Sequence, residues 1–211
     1  GTGYFGCRRT DGGFDEDRFT ETASLDQVKM IEIKLNQGAK PGHGGFLPGI
    51  KVTPEIARAR GVPPWEDVVS PPSHSAFSTP VGLIEWIAKL RKLSGGKPVG
   101  FKLCLGHQWE FLAIIKAMLK TGITPDFIVI DGSEGGTGAA PIELSNHVGT
   151  PLREGLIFAV NALTGAGLRD CIRIGVAGKV FDGHSMAANM ALGADWCNAA
   201  RAFMFSIGCV Q

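Results

Sequence analysis

The sequence predicts an α/β fold formed by the later strands of a (β/α)8 barrel. Short apolar runs alternate with longer amphipathic runs along the 211 residues, which is the β-α repetition that surrounds a parallel sheet. Lys34, Lys102, Asp131 and Gly175 each lie at the end of a strand-like run and precede a glycine-bearing loop. A doubly wound sheet would show the same alternation, but barrels place their active sites at the carboxyl ends of the strands. Fewer than eight strand-like runs are visible, so we expect residues 1–211 to be the carboxyl-terminal portion of one barrel domain, with no second domain.

The first predicted elements follow from local patterns. Residues 14–19 are typical of a polar, helical lead-in, and residues 30–35 alternate in polarity as a strand does. Thr53 can cap a helix over residues 54–60, because its hydroxyl accepts from an amide of the first turn, where Pro54 is also tolerated.

The later elements are longer or more apolar. Residues 80–93 carry apolar side chains at helical spacing and are followed by glycines, so they predict a helix. Residues 126–131 are almost wholly apolar, as in a parallel strand that is covered on both faces. Further strands are expected at 67–70, 99–103, 172–175 and 196–198, and further helices at 109–119, 152–163, 184–192 and 199–207.

Composition excludes several classes of function. The formal net charge of +1 provides no field that would hold a nucleic acid. No apolar run reaches the roughly 18 to 20 residues of a membrane span. The five cysteines contain no CxxC pair, which favours a reducing, cytoplasmic setting. Residues 1–6 are glycine-rich and lack an initiating Met, so we expect the chain to be an internal piece of a longer protein.

Three loops could bind an anion through backbone amides. Residues 133–141 follow the buried strand and contain three glycines and two alanines around Thr137, and such small residues let several N–H groups point at one anion. Residues 175–179 and 198–201 follow the next two strands, and each segment ends on a cation. Each loop alone is also typical of a surface turn, but 175–179 and 198–201 together fit the two-loop phosphate site of a barrel.

Four cations have two interpretations each. Lys34 and Lys102 lie in otherwise apolar strands, where a lysine either pairs with a carboxylate such as Asp131 or presents an ammonium group to a ligand. Lys40 and Arg60 could bind a dicarboxylate, since a guanidinium matches a carboxylate in shape. Taken singly, each of these two is more typical of a solvated surface cation.

The whole chain resembles the FMN-binding synthase domain of the glutamate synthase family. Five motifs carry the resemblance in this order: IEIKLNQGAKPGHGG, LPGIKVTPEIARARG, VVSPPSHSAFST, DGSEGGTGAAP and GADWCNAARAFMFSIGC. The resemblance implies a (β/α)8 barrel that binds FMN at the carboxyl ends of its strands.

The resemblance also assigns roles to the residues identified above. Lys102 would lie near the N1/O2 edge of the flavin, and Lys34 and Gln37 would line the same face. Lys34, Lys40 and Lys102 are the implied catalytic residues. The residues implied to surround the ribityl phosphate are Gly135, Gly136, Thr137, Gly138, Gly178, Lys179, Ala200 and Arg201.

The implied reaction forms L-glutamate. Lys40 and Arg60 match cations that hold 2-oxoglutarate, which would combine with ammonia to give 2-iminoglutarate and then be reduced by FMN. The electrons would come from a donor protein or from an NAD(P)H-oxidising subunit. Cys209 matches the first of three cysteines that bind a 3Fe-4S cluster in the full-length proteins of this family.

One departure from the family leaves the substrate open. Phe46 stands where the glutamate synthases proper carry a glutamine that helps to bind 2-oxoglutarate. A phenyl ring removes a hydrogen-bond donor, so a related barrel that acts on a different 2-oxo or 2-hydroxy acid is the first alternative. A barrel that binds FMN or a phosphorylated ligand without catalysis is the second.

Overall fold

The computed structural model describes residues 6–136 and 140–209, which fall into two compact units. The first unit comprises the described part of Gly1–Ile31 together with Gly42–Val99, and the second comprises Glu32–Pro41 with the described part of Gly100–Gln211. In chain order the elements are α1 (Glu16–Ser24), β1 (Ile31–Lys34), β2 (Gly45–Leu47), a 3-10 turn (Gly49–Lys51), α2 (Pro54–Arg60), β3 (Val68–Ser70), α3 (Pro80–Leu93), β4 (Val99–Leu103), α4 (Gln108–Thr121), β5 (Phe127–Asp131), α5 (Leu152–Gly165), β6 (Arg173–Ala177), α6 (Gly183–Ala191), β7 (Trp196–Asn198) and α7 (Arg201–Ser206).

The helices of the first unit begin at side chains that cap them. Asp15, Thr53 and Thr79 precede α1, α2 and α3, and each accepts a hydrogen bond from a first-turn amide. These bonds satisfy donors that the helix itself leaves without partners. The predicted helices 54–60 and 80–93 are therefore confirmed at both ends.

The first unit also contains a two-stranded antiparallel sheet, β2–β3, that the sequence did not predict. Phe46 lies opposite Val69 in this sheet, and both side chains point away from the packed interior, with 63% and 73% of their surfaces exposed. The small core beneath consists of Val52, Ala57 and Val68.

A five-stranded parallel sheet, in the order β1-β4-β5-β6-β7, organises the second unit. Gly100 of β4 is in register with Phe127 of β5, and Phe127 is in register with Arg173 of β6. All five residues of β5 are buried, as predicted for a central parallel strand. Because the strands of this sheet run parallel to one another, their carboxyl ends meet at one edge.

The opposite edge of this sheet is fixed by Asp195. Its carboxylate accepts hydrogen bonds from the amide of Ile174 at 2.7 Å and from Arg169 Nη2 at 2.8 Å, and it contacts Arg173 Nη1 at 3.2 Å. This network stabilises the start of β6 beside β7. Within the two described ranges, every helix is too short or too polar to cross a membrane.

Candidate cofactor site at the carboxyl ends of the strands

Lys34 and Gln37 connect the end of β1 to the glycine turn after β5. Lys34 Nζ donates to Gln37 Oε1 at 3.1 Å, and Gln37 Nε2 donates to the carbonyl of Gly136 at 2.7 Å. Gln37 therefore binds the ammonium group of Lys34 through its side-chain oxygen and the glycine turn through its side-chain nitrogen. Lys34 and Gln37, two residues of the predicted site, thus lie close to Gly136, a third predicted residue.

Asp131, the last residue of β5, contributes a buried carboxylate to the same part of the sheet edge. Its Oδ2 accepts from the amide of Gly38 at 3.0 Å and lies 3.6 Å from Lys102 Nζ. Only 4% of the Asp131 side chain is exposed, against 21% for Lys102. The carboxylate therefore anchors the ammonium group of β4 and the loop after β1 at one buried point.

The glycine turn depends on the absence of side chains. Gly136 has a φ of 75°, and a Cβ at this position would lie 1.9 Å from Gln37 Nε2. A Cβ on Gly135 would lie 2.1 Å from Asp131 Oδ1. Any larger residue would have to displace the neighbours that hold the turn. The predicted site residues Thr137 and Gly138 lie outside the described residues.

The loops after β6 and β7 lie at the same edge of the sheet. Gly178 follows β6 with a φ of 126°, and a Cβ there would lie 3.2 Å from the amide nitrogen of Gly132. Lys179 also has a positive φ, of 48°, and its Nζ lies 3.4 Å from Asn146 Oδ1. After β7, Ala200 and Arg201 are exposed at the start of α7.

The remaining predicted cations have different environments. Lys40 is buried, with 7% of its surface exposed, so the solvated alternative does not describe it. Arg60 lies in the last turn of α2, in the first unit.

Cys209 follows α7, is half-buried, and donates its amide to the carbonyl of Met204 at 2.9 Å. Among the residues that the structure describes, no group of three or more His, Cys, Asp or Glu side chains could hold a metal ion.

The charges at this edge act on one another. Burial, together with the neighbouring charges of Lys102 and Lys40, lowers the pKa of the Lys34 ammonium group below its ordinary value. Burial raises the pKa of Glu32, against the opposing effect of Lys102. Three ammonium groups are therefore close enough to repel, which is an arrangement that favours an anionic ligand.

Two residues that support the site were not predicted from the sequence. Asn36 donates its amide to the carbonyl of Cys104 at 3.1 Å and accepts from the amide of the same residue. Glu134 accepts a hydrogen bond from the amide of Leu152 at 3.1 Å and so provides a partner for the first backbone N–H of α5. Both act across 18 or more residues of sequence, and only the general tendency of Asn and Glu to bind free backbone groups could have suggested them.

The fold and the site together define a class: an α/β protein with a cationic, glycine-lined site at the carboxyl ends of parallel strands. The chain belongs to the glutamate synthase family, because the family model described as the conserved region in glutamate synthase matches residues 1–211. The predicted family is thereby confirmed.

Several curated relatives are similar over most of the chain. The glutamate synthase large subunit-like protein YerD of Bacillus subtilis is 43% identical over 100% of this chain and 40% of its own length. The archaeal glutamate synthase [NADPH] of Methanocaldococcus jannaschii is 37% identical over 99% of this chain and 42% of its own length. The archaeal-type glutamate synthase [NADPH] of Thermotoga neapolitana is 37% identical over 88% of this chain. The chain spans about two-fifths of the length of these relatives.

Solved structures show the fold. A mutant flavocytochrome b2 with benzoylformate superposes with a TM-score of 0.55 at 16% identity, over 92% of this chain and 40% of that one. DHODH of Eimeria tenella in complex with ferulenol gives 0.52 at 12% identity, over 94% of this chain and 52% of that one. The predicted fold class is confirmed: the parallel sheet and its helices form part of a (β/α)8 barrel.

Proposed function

We propose that the chain is the carboxyl-terminal portion of an FMN-binding synthase domain, in a flavin-dependent oxidoreductase of the glutamate synthase type. One observation carries the proposal. In a member of this family, Lys34, Gln37 and Lys102 lie at the same sheet edge as the glycine turn at Gly135 and Gly136. Cations and exposed backbone amides are the groups that bind an anionic ring and a phosphate.

The residues fit FMN in their chemistry. Lys102 would face the N1/O2 edge of the flavin, with Lys34 and Gln37 on the same face, because an ammonium group stabilises negative charge that develops there. The turns at Gly136 and Gly178 have positive φ angles, and Gly136 also has no room for a side chain, so their backbone can approach a phosphate closely. The remaining residues proposed around the ribityl phosphate are Gly135, Thr137, Gly138, Lys179, Ala200 and Arg201.

The proposed substrates are 2-oxoglutarate and ammonia. Their condensation gives 2-iminoglutarate and water, and bound FMN in its reduced form supplies the hydride that yields L-glutamate. Lys40 would bind a carboxylate of the oxo acid, and Arg60 stays a predicted carboxylate ligand on the basis of the family resemblance. Lys34 and Lys102 would hold the pyrimidine edge of the ring and restrict its orientation toward the substrate.

Electron supply and the cluster belong to the full-length protein. NADPH, directly or through an NAD(P)H-oxidising subunit or a donor protein, is the proposed source of electrons, and the names of the relatives from Methanocaldococcus and Thermotoga support it. We propose Cys209 as one thiolate ligand of a 3Fe-4S cluster. Its half-buried position directly after α7 is compatible with that role.

A second candidate is reduction of a different 2-oxo acid, or oxidation of a 2-hydroxy acid, by the same flavin. The exposed phenyl ring of Phe46 favours it, since the ring stands beside Val69 on an apolar surface where the family carries an amide. Such a surface suits an apolar side chain better than a carboxylate. A barrel that binds FMN without catalysis remains the third candidate.

Stopped-flow spectroscopy on the full-length protein separates these candidates. The bound flavin is reduced anaerobically and mixed with 2-oxoglutarate and ammonium together, with each alone, and with apolar 2-oxo acids. The proposal predicts fast reoxidation and L-glutamate formation only with both substrates. Lys102→Met should slow the preceding reduction of the flavin, because it removes the positive charge proposed to stabilise the reduced ring. Lys116→Met, which changes an exposed lysine on α4, is the matched control.

The outcomes of this experiment are distinct. Reoxidation by an apolar oxo acid alone would favour the second candidate. A bound flavin that reduces normally with dithionite, but that no oxo acid reoxidises and no 2-hydroxy acid reduces, would favour the third. A full-length protein that binds no flavin would contradict all three.

A further inference from the structure

We propose that Asp131 is a positioning residue that fixes Lys102 and the loop after β1, and that its negative charge sets the reduction potential of the flavin. The inference rests on the proposed function and deepens it, because it concerns how the same site controls its cofactor. Asp131 lies at the end of β5, directly before the glycine turn.

The carboxylate binds groups from separate elements. Its Oδ2 accepts from the amide of Gly38, at 3.0 Å, in the loop after β1, and it also pairs with Lys102 Nζ of β4 at 3.6 Å. Its Oδ1 lies against Gly135, where a Cβ would be only 2.1 Å away. One buried side chain thus holds together the loop that carries Gln37, the strand that carries Lys102, and the turn proposed to bind the phosphate.

The carboxylate also balances charge. Lys34, Lys40 and Lys102 interact through their charges at this edge, and Asp131 opposes their repulsion. Asp131 is buried, so water screens its charge weakly and a change in that charge is felt strongly by a nearby ring. Removing the negative charge should favour the anionic reduced flavin over the neutral oxidised flavin.

The space around Asp131 determines which substitutions are informative. Asp131→Asn keeps the shape and an oxygen that can accept from Gly38, and it removes only the charge. Asp131→Glu should fail to rescue, because Gly135 leaves no room for another methylene group. Asp126→Asn is the matched control, since it removes a charge just before the other end of the same strand.

The first measurement uses the full-length protein without flavin. Amine labelling, read by mass spectrometry, compares Lys102 with the exposed Lys116. We expect Asp131→Asn to speed labelling of Lys102 by about tenfold, because the amine loses its charged partner, and to leave Lys116 unchanged. Equal labelling of Lys102 in Asp131→Asn and in the wild type would overturn the positioning role.

The second measurement is the midpoint potential of the bound FMN. We expect a more positive potential in Asp131→Asn and no change in Asp126→Asn. An unchanged or more negative potential in Asp131→Asn would overturn the claim that its charge sets the potential.

Two further observations keep the test decisive. If Asp131→Asn does not fold, Asp131→Asn combined with Lys102→Met is compared with Lys102→Met alone, and the double variant should have the more positive potential. If the wild type binds no FMN, the proposed function is wrong, and labelling of Lys102 still decides whether Asp131 positions it.

Discussion

Replacing Asn36 by alanine should loosen the sheet directly beneath the candidate site. Asn36 follows β1, and its side-chain amide bonds to both the N–H and the carbonyl of Cys104, which follows β4. It therefore extends the pairing of β1 and β4 beyond their last residues by using a side chain in place of backbone. Cys104 has only 1% of its surface exposed, so water does not readily replace these bonds.

The magnitude follows from the two groups that lose their partner. A buried donor or acceptor left unsatisfied costs about 1–3 kcal/mol, so the pair should cost about 2–6 kcal/mol. If the Cys104 amide exchanges through local opening, its hydrogen exchange should accelerate by about 30-fold to 20,000-fold. Asn36→Asp should show a smaller loss, because the carboxylate still accepts from the amide but cannot donate to the carbonyl.

Hydrogen–deuterium exchange of a peptide that covers β4, together with urea unfolding, measures this effect. Asn161→Ala, on the exposed face of α5, is the control and should leave exchange near β4 unchanged. Unaltered exchange at Cys104 and an unaltered urea midpoint in Asn36→Ala would refute the reasoning.

Three further predictions concern the turn, the opposite edge and the thiols. Gly136→Ala should cost about 1–2 kcal/mol for its left-handed conformation alone, should also displace Gln37, and should weaken FMN binding measured by quenching of flavin fluorescence. Burial opposes ionisation of Asp195, but an amide of β6 and two arginines hold the pKa of this carboxyl below its ordinary value of 3.8. The stabilisation from the ionised carboxylate is therefore complete above pH 3.8 and is lost as the pH falls through the lowered pKa of the folded protein. The urea midpoints of Asp195→Asn and wild type should differ at neutral pH and converge in acid. Burial raises the pKa of the Cys104 thiol to about 12, so iodoacetamide should modify the exposed Cys171 in the native protein and Cys104 only after unfolding.

Local chemistry made most of the fold predictable. The helix over 80–93 was predicted at its observed bounds because its apolar residues repeat at helical spacing and glycines follow it. The structure adds the Thr79 cap at its start. The strand over 99–103 was also predicted at its observed bounds. The strand β2 was missed, since three residues after a glycine loop carry no periodicity and become a strand only by pairing with β3.

The candidate site was predictable in position but less so in connectivity. Polar residues at the ends of apolar runs indicated the carboxyl-end edge of the sheet, where the structure brings Lys34, Gln37 and Gly136 together, because parallel strands bring their carboxyl ends together. The burial of Lys40 and the link from Gln37 to Gly136 across 99 residues depend on how the loops close over one another. No local pattern encodes such contacts, whereas the structure shows them directly. The binding roles of the site residues stay predictions.

A crystal structure of the full-length protein, purified with its bound cofactor, tests the central claim most directly. The account predicts one FMN at the carboxyl ends of the strands, with Lys34 and Lys102 contacting the ring and the turn at Gly136 contacting the phosphate. A flavin that contacts none of these residues, or a different ligand in their place, would contradict it.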